Sequence, residues 1–254
     1  MALLFRIVLG IHIVAGAVAL LVFWLPLVTK KGGRTHRRAG WVYVSAAATL
    51  AVTGIASCAR LMGDGNPGRW RAGVFLAYVS VFAAASVQLG VRALRTKGRV
   101  GPSRRAIDLA PPLLLIAAGL ALAAFGVHHA KVLYVLFAAL GVAQGAAHLR
   151  FWLRPPSHGR GWFLAHMSGM GTSCITTVTA FVVVNAPRLG MRTFDVRLWV
   201  VPIVVLGIGL TSWQRRYARR FAGEGRDGVH DGFLRVCRGR PMVSQRGARG
   251  EPRD

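Results

Sequence analysis

"KKGGRTHRRAGWVY", residues 30–43, decides how the chain is read, because it sets five Lys/Arg and one histidine between two long apolar runs. Residues 4–28 before it hold one charged residue, Arg6, and residues 40–61 after it hold one, Arg60. A hydrocarbon core of about 30 Å takes about 20 helical residues at 1.5 Å each. Both runs are long enough to cross a membrane, and the basic knot is the turn between them. The same reading repeats downstream, so spans are expected at 4–28, 40–61, 72–94, 107–127, 132–153, 162–184 and 198–213. The expected fold class is all-α: an integral membrane bundle of seven transmembrane helices over 1–213. Residues 214–254 are expected to form a basic cytoplasmic tail, Gly/Arg-rich and largely disordered, with room for a short interfacial helix near Phe221.

Composition points the same way. The 254 residues are 54% hydrophobic and 16% charged, with 33 Lys+Arg against 8 Asp+Glu, whereas a soluble domain carries about a quarter charged residues of mixed sign. The first run lacks a basic leader, is too long for a signal-peptide core and is followed by further spans, so a retained helix is expected. Counted by loop, 25 Lys/Arg fall on one side (30–38, 92–105, 150–160 and the tail from Arg215) and eight on the other. Positive charge concentrates on the cytoplasmic side. The split therefore predicts an outside N-terminus and a cytoplasmic C-terminus in a bacterial cytoplasmic membrane.

The basic clusters sit beside helix ends, where anionic lipid headgroups would meet them; Arg215, Arg216, Arg219 and Arg220 are the expected lipid contacts. Because the charge is broken up by spans, a nucleic-acid partner is not expected. Cys58, Cys174 and Cys237 form no disulfide or zinc framework and read as packing residues. Trp24, Trp41, Trp70, Trp162 and Trp199 read as interfacial anchors.

Small and hydroxyl residues let helices approach closely in lipid. Three stripes of them should face protein: Ser45, Thr49 and Thr53; Gly141, Gly145 and His148, with Gln144 alongside; and Gly169, Ser173 and Thr177 running on from His166. Asp108, followed by Pro111 and Pro112, suits the first turn of the fourth span, as a helix-start residue rather than a proton carrier.

No span interior contains Asp or Glu, and no phosphate-binding loop, nucleophile elbow or zinc signature is present. Histidines remain. His148 and His166 lie symmetrically about Ser157, so on antiparallel helices they should share a depth, each about five residues, or about 7 Å, inside the boundary. Two facing imidazoles could hold a b-type haem or a transition metal. His36 is the substitute or supporting ligand, and Arg38, Arg150, Arg154 and Arg160 are candidates to neutralise haem propionates. For His36 the other reading is water or helix capping. His12, His128 and His129 form a weaker outer group, His158 shares the basic side, and His230 lies in the tail.

Three segments carry a resemblance: "HIVAGAVAL" from His12, "KKGGRTHRRAGWVYV" with H-R-x-x-G over His36–Gly40, and "HMSGMGTSCITTVTAFVVVN" over His166–Asn185. The chain resembles a family of bacterial multi-pass membrane proteins of no assigned activity, which implies an all-helical integral membrane fold and no reaction. The H-R-x-x-G element is similar, more loosely, to the histidine-bearing helix bundles of b-type cytochromes. This chain departs from their two-haem cores in lacking two His pairs at matched depths.

Two functional readings follow. One is a haem redox or electron-transfer protein using His148 and His166. The other is a non-enzymatic sensor, scaffold or small-molecule permease with a polar histidine-lined cavity, bounded by Ser45, Thr49, Ser173 and Thr177. A metal-dependent hydrolase ranks last, for want of a carboxylate base. Self-association and the identity of any redox partner are left open by the sequence.

Overall fold

The Asn66 side chain accepts the backbone N–H groups of Gly68 and Arg69 at 2.9 and 3.1 Å. With Pro67 at the first helical position, the helix that follows starts with its orphan donors satisfied. Local rules of this kind bound the other elements. The structure is a computed structural model and describes residues 2–154 and 159–237. Its helices are α1 (Ala2–Val22), α2 (Trp24–Val28), α3 (Arg34–Met62), α4 (Pro67–Arg95), α5 (Ala106–His128), α6 (Val132–Leu153), α7 (Gly161–Asn185) and α8 (Val196–Cys237), with a 3-10 turn at Ala186–Leu189. No strand occurs among the described residues.

Seven helical segments are long and apolar enough to cross a membrane: Leu3–Val28, Arg34–Met62, Pro67–Arg95, Ala106–His128, Val132–Leu153, Gly161–Arg188 and Val196–Phe221. All seven expected spans fall within these segments of the described residues. The first span joins α1 to α2, the ladder being carried through by the Phe23 N–H donating to the Ala19 carbonyl at 3.0 Å.

The chain divides into two units, residues 1–214 and 215–254. In the first, α4 is central and packs against α3, α5 and α7; α1 packs on α3, and α6 on α5. Glycines select these partners. A Cβ on Gly169 of α7 would stand 2.5 Å from the Ser86 carbonyl oxygen and 2.6 Å from the Gly90 nitrogen, so α7 lies backbone to backbone on α4. A Cβ on Gly145 of α6 would stand 3.0 Å from the Pro112 carbonyl oxygen of α5. Such close approach is what small residues provide where lipid supplies no hydrophobic drive between helices.

This selection separates the two arms of the α6–α7 hairpin. Each is committed to a different neighbour, and a cavity of about 70 Å³ lies between them, bordered by Gln144, Thr172, Thr176 and Thr179. Trp199, in the first turn of α8, packs inside the bundle. It is 2% exposed, packed on Phe75 and Phe137, and its Nε1–H donates to the Thr193 carbonyl at 2.9 Å.

A polar clasp closes the α4–α5 connection. Arg92 of α4 donates from Nε and Nη2 to both oxygens of the buried Asp108, at 2.7 and 3.0 Å, and Ser103 Oγ donates to Asp108 at 2.7 Å. Arg99 of the connecting loop donates to the carbonyls of Phe151 and Trp152, and Ser103 N–H to Trp152, which caps the end of α6. Of the tail 214–254, expected to be largely disordered, the backbone is helical through the basic cluster to Cys237, and residues 238–254 lie outside the described residues.

Candidate functional site

The opening stretch supplies the first wall of the site. α2 ends after one turn, leaving carbonyls that need donors. Thr29 Oγ1 takes Leu25 at 2.6 Å, and Lys31 Nζ takes Pro26 and Leu27 at 2.7 Å each. His36 takes Pro26 as well, at 3.1 Å through Nδ1. A carbonyl only accepts, so His36 Nδ1 carries the proton and Nε2 is left with a lone pair. The helix-capping role foreseen for His36 is present.

The second wall is α7. His166 Nδ1 lies 2.8 Å from the Gly90 carbonyl of α4, which fixes the same tautomer by the same argument. The two rings stand with centres 6.4 Å apart, inclined at 62°. Neither Nε2 has a hydrogen-bond partner among the described residues. Both rings line one cavity of about 370 Å³, whose wall also includes Tyr43, Met170, Cys174 and Leu210. At its inner end the Tyr43 hydroxyl is hydrogen bonded to Ser173 Oγ at 2.8 Å and Thr177 Oγ1 at 3.3 Å.

Three cations line this cavity: Lys31, Arg37 and Lys97. Lys31 lies over the Trp213 ring at 4.8 Å and Lys97 over Trp162 at 4.4 Å. No Asp or Glu lines the wall, and none of the three cations forms an ion pair among the described residues. Burial pushes the Lys31 ammonium below the usual lysine range, with no carboxylate to oppose it.

The other expected residues lie elsewhere. His148 follows Gly145 by three residues and so shares its α5-facing side of α6. It is buried, its Nε2 has no partner, and it is not on the cavity wall. The structure therefore brings His166 together with His36, not with His148. Arg38, Arg150, Arg154 and Arg160 do not line the cavity either. Ser45 and Thr49 border an open groove between α1 and α3, apart from Ser173 and Thr177. His12 Nδ1 is 2.8 Å from Thr53 Oγ1, while the His128 and His129 rings meet edge-on at 4.7 Å at the end of α5. His158 lies outside the described residues.

Lys31, Lys97, Tyr43 and Trp213 were missed in the sequence. One signal was available: only Lys30, Lys31, Lys97 and Lys131 are lysines among 33 basic residues, and two of the four reach this cavity.

For a haem the donor atoms are suitable. Two imidazoles on opposite sides of one metal, each nitrogen about 2 Å away, have ring centres about 6 Å apart. The cavity volume is near the lower end of the range for small-molecule sites. Among the described residues no three His, Cys, Asp or Glu side chains converge to hold a metal ion. Comparison of the chain with protein-family models, with curated proteins and with solved structures finds no match.

Proposed function

We propose that this protein is a non-enzymatic membrane receptor or permease that binds a small molecule in the cavity between His36 and His166. The supporting observation is the pair itself: each imidazole is locked through Nδ1–H to a backbone carbonyl, so two fixed acceptors, Nε2 of each ring, face one cavity. Locking by a backbone carbonyl is how proteins set the tautomer and aim of a binding histidine. A concave, mostly apolar site with a few convergent polar groups is the usual form of a small-molecule site.

The setting proposed is a bacterial cytoplasmic membrane, N-terminus outside and C-terminus cytoplasmic, which the 25-to-8 division of Lys/Arg supports. Arg215, Arg216, Arg219 and Arg220 would then meet anionic headgroups.

The test is extraction and mass analysis of protein purified from its native membrane. A co-purifying small molecule is expected near one per chain in the wild type, reduced at least tenfold in His36→Ala and His166→Ala and retained in His148→Ala. An absorption spectrum after haem-replete expression separates the redox reading: no Soret band is expected, and a Soret band lost in His36→Ala or His166→Ala would establish haem binding instead.

A further inference from the structure

We propose that the ligand of this cavity is an amphiphile, an acidic head on one short apolar chain, with the head held between Lys31 and Lys97; the inference rests on the cavity being a ligand site. Charge gives the sign of the head. Among the described residues, three cations and no acid line this wall. The acids whose side chains are described are engaged elsewhere: Asp64 with Arg60 and Arg69, Asp108 with Arg92, and Asp195 with Arg197. An enclosed positive field without a counter-charge favours an anion.

The two lysines are poised for it. Each rests on an indole face, and Lys31 also donates to the Pro26 and Leu27 carbonyls, so both ammonium groups are held at the wall without a counter-ion among the described residues. The two imidazole Nε2 atoms add acceptors that suit a protonated acid oxygen.

The rest of the wall gives the chain. Phe23, Leu27, Leu94, Met167, Met170 and Leu210 offer no polar contact to a second charged group. The volume, about 370 Å³ and near the lower end for small-molecule sites, suits one short chain with its head better than a two-chain lipid. α8 forms the side of the cavity through Leu210 and Trp213, and its face is otherwise exposed apolar surface, so this wall is the one through which a chain would enter from the bilayer.

The test is calorimetric titration of the full chain in nanodiscs of neutral phosphatidylcholine with four probes: octyl phosphate, octanol, octyltrimethylammonium and inorganic phosphate. Saturable binding of octyl phosphate is expected at least tenfold tighter than of octanol or inorganic phosphate, with none for the cationic probe. Lys31→Gln and Lys97→Gln should each weaken it about tenfold. Lys31 also caps α2, but Lys97 has no backbone hydrogen bond among the described residues, so Lys97→Gln decides should Lys31→Gln not fold. Octanol binding as tightly as octyl phosphate would overturn the acidic head and leave the cavity as a ligand site. Equal binding of inorganic phosphate would overturn the amphiphile. Octyl phosphate heats that are unchanged in the cavity-filling Cys174→Trp would overturn both readings.

Discussion

His36 and His166 meet across one cavity with ring centres 6.4 Å apart, each held by a backbone carbonyl from a different helix, Pro26 of α2 and Gly90 of α4. Both rings are half-buried on the cavity wall, whereas His148 is 4% exposed. Diethylpyrocarbonate acylates unprotonated imidazole nitrogen. In folded protein His36 and His166 should be modified at least ten times faster than His148, as read by peptide mass mapping. Equal rates for all three would show that the cavity does not separate them.

Arg92 and Asp108 should be a structural pair. The carboxylate is completely buried and takes donors from Arg92 and Ser103. Removing one partner of a buried pair leaves the other uncompensated and costs about 3–5 kcal/mol. Asp108→Ala should lower stability by about 3 kcal/mol in equilibrium unfolding in mixed micelles, the partial exposure of Arg92 keeping the loss near the lower bound. Ser103→Ala removes one hydrogen bond to a charged group and should cost about 1.5 kcal/mol. Ligand binding in the His36–His166 cavity should survive in whatever fraction folds, since Asp108 is not on its wall.

Gly169 should tolerate no side chain. The atoms its Cβ would meet are backbone atoms of α4, which cannot rotate aside. Gly169→Ala should therefore cost about 1–3 kcal/mol, the range for overpacking. It should also disturb the Gly90 carbonyl that orients His166, so binding weakens along with stability. Gly209→Ala is the control. Nothing lies within 4 Å of its Cβ, and Ala is the better helix former, so it should be neutral or stabilising by up to about 1 kcal/mol. Thermal unfolding of the two variants side by side decides the matter.

The helices were legible in the sequence and their partners were not. Apolar run length fixes a span, and the expected 132–153 coincides with α6 at Val132–Leu153. Run length carries no information on which neighbour a helix packs against. The stripe through Gly141, Gly145 and His148 was visible, but whether it faces α5 or α7 depends on what stands opposite, here Pro112 and Ile116. Pairing His148 with His166 rested on equal depth across a hairpin, and depth is only one of the two coordinates a contact needs. His36 could be placed at the right end of the bundle but not at the right distance. That distance depends on α2 stopping after one turn, so that its last carbonyls draw Lys31 and His36 inward.

Binding of an acidic amphiphile should be lost at alkaline pH, and Lys31 sets where. Burial holds this ammonium below the usual lysine range, so it deprotonates at a lower pH than a free lysine. The sign follows from which form binds. The anion favours charged Lys31, so affinity is full below the Lys31 pKa and falls as pH rises through it. The unliganded fold behaves oppositely. It disfavours the charged form, so the burden of that charge is relieved as pH rises through the folded-state value towards the unfolded one, and stability rises across the same window. The other titratable or charged groups facing the site are His36, Arg37, Tyr43, Lys97, His166 and Cys174. A phosphate monoester has its second ionisation near pH 6, below the window. In a Lys97→Gln background, octyl phosphate affinity should drop several-fold as the pH is raised from neutral towards the usual lysine range. Lys31→Arg, whose guanidinium stays protonated, should flatten the profile. A decline that persists unchanged in Lys31→Arg would assign the titration to another group and remove Lys31 from the site.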